Sequence, residues 1–108
     1  MARDFLNEFE ELVLTNVAVL AENAYGAAIA LELEKWLERK VTLSAVHVVL
    51  YKFEDKGYVK SKVGGATNER GGRAKRIYTI TNAGTAVLKS MREKRVELWN
   101  LIPQFKTI

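Results

Sequence analysis

Residues 43–57 read LSAVHVVLYKFEDKG, residues 58–63 YVKSKV, residues 64–75 GGATNERGGRAK and residues 76–81 RIYTIT, and this run decides the fold. In the first piece Val46, Val49, Leu50 and Phe53 recur at three- and four-residue spacing, one apolar stripe on a short helix. Gly57 stands where a C-terminal glycine stops a helix. Tyr58 to Val63 alternates apolar and polar or basic residues, the period of a half-buried strand, and Ile77 to Thr81 alternates again. The glycine-rich charged loop between them is too polar for core and too long for a tight turn. A helix followed by a hairpin with a long basic tip is the local plan of a winged helix-turn-helix. The expected class is α+β, mainly α.

Charge is distributed unevenly along the chain. Residues 52–76 hold eight basic side chains (Lys52, Lys56, Lys60, Lys62, Arg70, Arg73, Lys75, Arg76) against three acidic ones. Residues 1–40 hold eight acidic side chains against four basic ones, so a net charge of +4 hides a polarised molecule. A basic helix and loop opposite an acidic surface is the footprint of a phosphate-backbone binder. The same pattern also fits a solvated hairpin, because charge runs commonly serve only solubility.

A chain of 108 residues, with 48% apolar residues, makes one globular domain with a modest core. With no cysteine, disulfides, thiolate metal sites and cysteine nucleophiles are excluded. No apolar run reaches the roughly 20 residues of a membrane helix. The N-terminus lacks a basic segment followed by an apolar signal core. Cytoplasm is therefore the expected location, with no membrane partner.

Upstream, residues 4–21 form a first helix in which Phe5, Phe9, Leu12, Val13, Val17 and Leu20 mark an apolar face, widened by Leu6, Leu14 and Val19. This breadth suggests burial on two sides, by a second subunit or by a monomer's own core. Asn23 is the expected N-cap of a second helix over residues 25–39, with Ile29, Leu33, Trp36 and Leu37 packed inward. Val41-Thr42 could add a minimal strand to the wing sheet. Downstream, Thr81 is the expected N-cap of a last helix, and Gly84 costs that helix some propensity near its first turn. Val87, Leu88, Met91, Leu98, Trp99 and Ile102 form its apolar seam, interrupted by Arg95, and Pro103 ends it. The expected division is a winged helix-turn-helix over 1–81, a dimerisation helix over 82–102 and a tail over 103–108.

At these positions the chain resembles the PadR family of winged-helix transcriptional regulators. The pieces are residues 9–14 (FEELVL), 24–26 (AYG) with Ile29, Leu50 through 57–59 (GYV), and above all residues 71–84, GGRAKRIYTITNAG. The resemblance runs from Phe9 to about Leu101, and the single C-terminal helix is that of the compact subfamily. It implies a dimeric DNA-binding protein, in most cases a repressor. The third helix would enter the major groove, the wing would grip the backbone, and the last helix would pack against the partner's first. One departure concerns the start of the third helix. The family has a glycine and, three residues on, a tyrosine where this chain has Ser44 and His47, which puts that helix's contact scheme in doubt.

On this reading the partners are double-stranded DNA and a second copy of the chain. The operator would be a pseudo-palindrome with half-sites roughly 34–36 Å apart. Ser44, His47, Val48 and Tyr51 face away from the apolar stripe and are the candidate base readers. Lys52, Lys60, Lys62, Arg73, Lys75 and Arg76 are the candidate phosphate contacts. The expected dimer buries Leu88, Met91, Leu98 and Ile102 against Leu6, Phe9, Val13 and Val17. The resemblance also implies a cavity for a small lipophilic or aromatic effector, with Trp99 as its stacking face and Arg95 at its mouth; plain dimer packing is the other role open to Trp99. Neither a cofactor nor a metal is expected. Catalysis is not expected either, since the single histidine lacks an obvious nucleophile partner and no phosphate-loop motif is present. The competing class is a winged-helix interaction module whose basic wing docks an acidic protein.

Overall fold

The computed structural model describes residues 5–64 and 75–103. The expectations for the wing tip, Arg73 included, for residue 4 and for residues 104–108 lie outside the described residues. The elements are α1 (Glu8–Leu20), a 3-10 turn (Ala21–Asn23), α2 (Gly26–Leu37), α3 (Leu43–Lys56), β1 (Val59–Val63), β2 (Arg76–Ile80) and α4 (Asn82–Trp99). β1 and β2 form one antiparallel pair, with Val59 opposite Ile80 and Val63 opposite Arg76. This is a mainly α winged helix-turn-helix. Among the described residues no helix is long and apolar enough to cross a membrane.

α1 begins later than its apolar pattern suggests, because Asn7 and Glu10 build a capping box. The Asn7 side chain accepts from the Glu10 amide at 2.8 Å, and Glu10 Oε1 accepts from the Asn7 amide at 3.0 Å. Leu6, Val13, Leu14 and Val17 are all buried within this one chain. Part of the breadth of this segment is therefore met by α2, α3 and β2, while Phe5 and Val19 stay exposed.

The junction to α2 differs from the expected cap. Asn23 lies in the 3-10 turn, and Tyr25 occupies the N-cap position with no side-chain bond. The chain turns instead through Ala21, whose φ of 53° is a left-handed value that a non-glycine residue rarely adopts. α2 buries Gly26, Ile29, Ala30 and Leu33 and stops at Leu37, with Glu38 in the left-handed conformation. Trp36 was expected inside and is 69% exposed. At about 100° per residue it sits roughly 70° off the centre of the buried stripe. Val41 adds no strand: it is buried, its amide donates to Glu34 Oε2 at 3.0 Å, and Thr42 caps α3.

The wing is fixed to the helices at its base. The Tyr78 amide donates to the Ala24 carbonyl at 2.8 Å, and the Thr81 amide to the Tyr58 carbonyl at 2.9 Å. Val59 and Tyr78 reach into the core on the inward face of the pair. Thr81 then caps α4 as expected, accepting from the Gly84 amide at 3.1 Å while its hydroxyl donates to the Gly57 carbonyl at 2.6 Å. α4 begins inside the same core: Gly84 is buried, and Val87, Leu88 and Met91 pack partly against it. The helix ends at Trp99 and a turn follows, so it stops before Pro103 is reached.

Candidate nucleic-acid interface

α3 is a well-delimited helix. The Thr42 hydroxyl accepts from the Ala45 amide at 3.2 Å at one end, and Gly57 takes φ 81° at the other. Val46, Val49, Leu50 and Phe53 are buried, which turns Ser44, Val48, Tyr51 and Asp55 to the opposite, exposed side. Three of the four candidate base readers thus stand on one open face.

His47 is displaced from that face. A side chain on Gly26 would come within 2.9 Å of the His47 ring, so the imidazole fills the space the glycine leaves at the start of α2. Its Nδ1 is buried with no hydrogen-bond partner among the described residues, and the ring stacks on Tyr51 at 5.7 Å between centroids. His47, a candidate base reader, packs its half-buried ring between α2 and α3.

The candidate phosphate contacts divide into two sets. Lys52 Nζ donates to Glu10 Oε2 at 2.6 Å, tying α3 to the N-terminal turn of α1. Arg76 donates to Ser61 Oγ at 3.0 Å, and the Ser61 hydroxyl donates to Glu54 Oε2 at 2.6 Å, so a short chain of bonds links the wing to the end of α3. Lys75 Nζ lies 4.2 Å from the centre of the Tyr25 ring, a cation–π contact to the residue that opens α2. These three cations brace the wing and α3 against the rest of the domain. All five are exposed; Lys60 and Lys62 alternate along β1 with Val59 and Ser61, which face the other side of the strand.

The residues expected at a dimer face are also split. Val13 and Val17 are fully buried and Leu6 nearly so, which leaves them no surface to offer a second chain. Phe9, Leu88 and Met91 are partly buried against the same core. Leu98 is exposed, Ile102 half-buried, and Val96, Trp99 and Leu101 stand exposed beside them. Arg95 and Trp99 line a groove of about 740 Å³ between α1 and α4, together with Thr15, Leu88, Arg92 and Val96. Arg95 forms a two-pronged ion pair with Glu11, one arm at 3.1 Å.

Sequence reasoning missed Glu10, Glu11 and Tyr25. Glu10 was legible as the second half of the Asn7-x-x-Glu10 capping pattern. Its pairing with Lys52, 42 positions away, was not.

The solved structure of the complex hsRosR-S1 is 25% identical to this chain, covering 92% of it and 80% of its own chain, with a TM-score of 0.68. A PadR-like transcriptional regulator from Bacillus cereus is 17% identical over 89% of this chain and 88% of its own, with a TM-score of 0.70. Bacillus subtilis PadR, solved in complex with operator DNA, is 18% identical over 79% of this chain and 46% of its own, with a TM-score of 0.63. At these lower identities the last two show a shared fold. Among curated proteins none matches the chain significantly. A family model, "Transcriptional regulator PadR-like family", matches residues 17–90, from the second half of α1 into α4. Those residues include all of α3, both wing strands and the capped start of α4, and on that match this chain belongs to the PadR-like family of transcriptional regulators, which are not enzymes.

Proposed function

We propose that this protein is a cytoplasmic, DNA-binding repressor that grips a pseudo-palindromic operator as a homodimer. The observation that carries the reading is the open face of α3, with Ser44, Val48 and Tyr51 exposed beside a wing whose Lys60 and Lys62 are also exposed. α3 enters the major groove and the wing lysines meet the phosphates. The operator complex of Bacillus subtilis PadR, a protein of the same fold, supports this reading. The test is the salt dependence of binding to duplex DNA. Each neutralised phosphate contributes about 0.9 to the slope of log affinity against log salt. Replacing both Lys60 and Lys62 with Met removes four such contacts from the dimer and is expected to flatten that slope by about 3.6 units. Both side chains are exposed, so the thermal unfolding temperature should stay where it is. A wild-type protein with no salt-dependent affinity for any duplex would instead be an interaction module that docks an acidic partner through its wing.

The exposed apolar end of α4 supports dimerisation there. The α1–α4 groove supports a second element of the reading, release from DNA by a small lipophilic or aromatic effector. Its volume falls in the range of small-molecule sites, and the Trp99 indole gives a flat ligand a broad stacking face. In a Trp36→Phe background, planar aromatic compounds are expected to quench Trp99 fluorescence saturably and to weaken DNA binding over the same concentrations. Quenching with unchanged DNA affinity would remove the regulatory role. A broad panel with no saturable quenching would leave Trp99 to dimer packing.

A further inference from the structure

The reading face of α3 has an unusual composition for a helix that enters the major groove. Its outward residues are Ser44, Val48, Tyr51 and Asp55, with Lys52 exposed beside them. None of the first four is Arg, Lys, Asn or Gln, the residues that make two-pronged contacts to guanine or adenine. The two neighbours that could have supplied a nitrogen donor are engaged within the domain, His47 half-buried and Lys52 exposed on the same side of the helix. His47 is packed against Gly26, and Lys52 is paired with Glu10. Asp55 adds a carboxylate at the C-terminal end of the face, which repels phosphate and leaves close approach to the N-terminal half. That half is the one that reaches base edges in helix-turn-helix docking. It offers the Ser44 hydroxyl and the Val48 isopropyl group.

Val48 is 66% exposed in the middle of this face. It contributes little to the core, so its apolar surface is buried only when something covers it. Among the groups that base pairs display in the major groove, the thymine C5-methyl is the apolar one. We propose that the protein selects its sites by packing thymine C5-methyl groups against Val48, with the Ser44 hydroxyl bonding an adjacent base edge, and that α3 makes no two-pronged contact to guanine or adenine. This deepens the DNA-binding reading and rests on it.

The test uses the full chain and a duplex selected by it from a random-sequence pool. The same duplex is then synthesised with deoxyuridine for every thymine, which keeps the pairing and removes only the methyl groups. Affinity is expected to fall about fourfold for each methyl that Val48 covers, and about fifteenfold over two half-sites. Val48→Ala is expected to bind the thymine and deoxyuridine duplexes equally well while unfolding at the wild-type temperature. The comparison of the two proteins separates methyl contact from any change in DNA stiffness, because stiffness acts on both. Equal wild-type affinity for the two duplexes overturns the inference, as does full discrimination kept by Val48→Ala. A pool that yields no preferred sequence, with salt-dependent binding intact, also overturns it and leaves the DNA-binding reading standing. Failure to bind any duplex overturns both.

Discussion

Gly84→Ala is expected to destabilise the protein by roughly 3 kcal/mol, the upper part of the usual range for overpacking. Helix propensity alone gives the opposite sign, since alanine is favoured over glycine by about 1 kcal/mol inside a helix. The tertiary contact decides. A Cβ at this position would stand 2.4 Å from the Tyr58 carbonyl oxygen and 2.8 Å from Ile80 Cγ1. The Ile80 side chain can shift, but the carbonyl cannot move freely. It accepts the Thr81 amide at 2.9 Å, and the same Thr81 ties Gly57 to the start of α4. Relief would mean lifting α4 away from the wing. The denaturation midpoint in urea should fall sharply, and the thermal midpoint by more than about 10 °C. A variant as stable as the wild type, or more so, would show that α4 does not approach the hairpin this closely.

The second large effect is expected from removing residues 96–108. The truncated chain should fold, sediment as a monomer, and bind the operator about a hundredfold more weakly or worse, the scale of avidity lost when linked sites are separated. It should fold because α4's contribution to the core ends near Met91. Beyond that residue Val96, Leu98, Trp99 and Leu101 form an apolar end that stands largely exposed. Arg95 remains, and with it the ion pair to Glu11. The long projecting helix is consistent with a radius of gyration of 16.1 Å, against about 13 Å for a compact chain of this length. A truncated protein that still sediments as a dimer would place the interface elsewhere, with exposed Phe5 and Val19 of the acidic end as the next surface to examine.

What the sequence determined by itself is local. The bounds of α3, the stop at Gly57, the two alternating strands and the Thr81 cap were all legible, because each depends on residues within a few positions of one another. Periodicity, a left-handed glycine and an N-cap hydroxyl are short-range physics. The polarity of the chain and the winged-helix class followed from these pieces in order. Their spacing in this chain was specific enough to suggest the family.

Only the tertiary structure decided which surface each side chain kept. Lys52, Lys75 and Arg76 look alike as basic residues in a basic stretch, but each is held by a different distant group: Glu10, Tyr25 and the Ser61–Glu54 chain. Val13 and Val17 look like spare apolar area, and α2 and α3 consume it. His47 sits on the outward half of α3 by periodicity, but the missing side chain at Gly26 draws it inward. Trp36 sits on the inward half and is left outside, because the buried stripe is narrower than the pattern of large residues suggests. Gly84 changes from a small propensity penalty to a necessity once a backbone carbonyl lies against it. In every case the deciding partner is far away in the sequence. Burial and ion pairing depend on distance in space, and only folding fixes that distance.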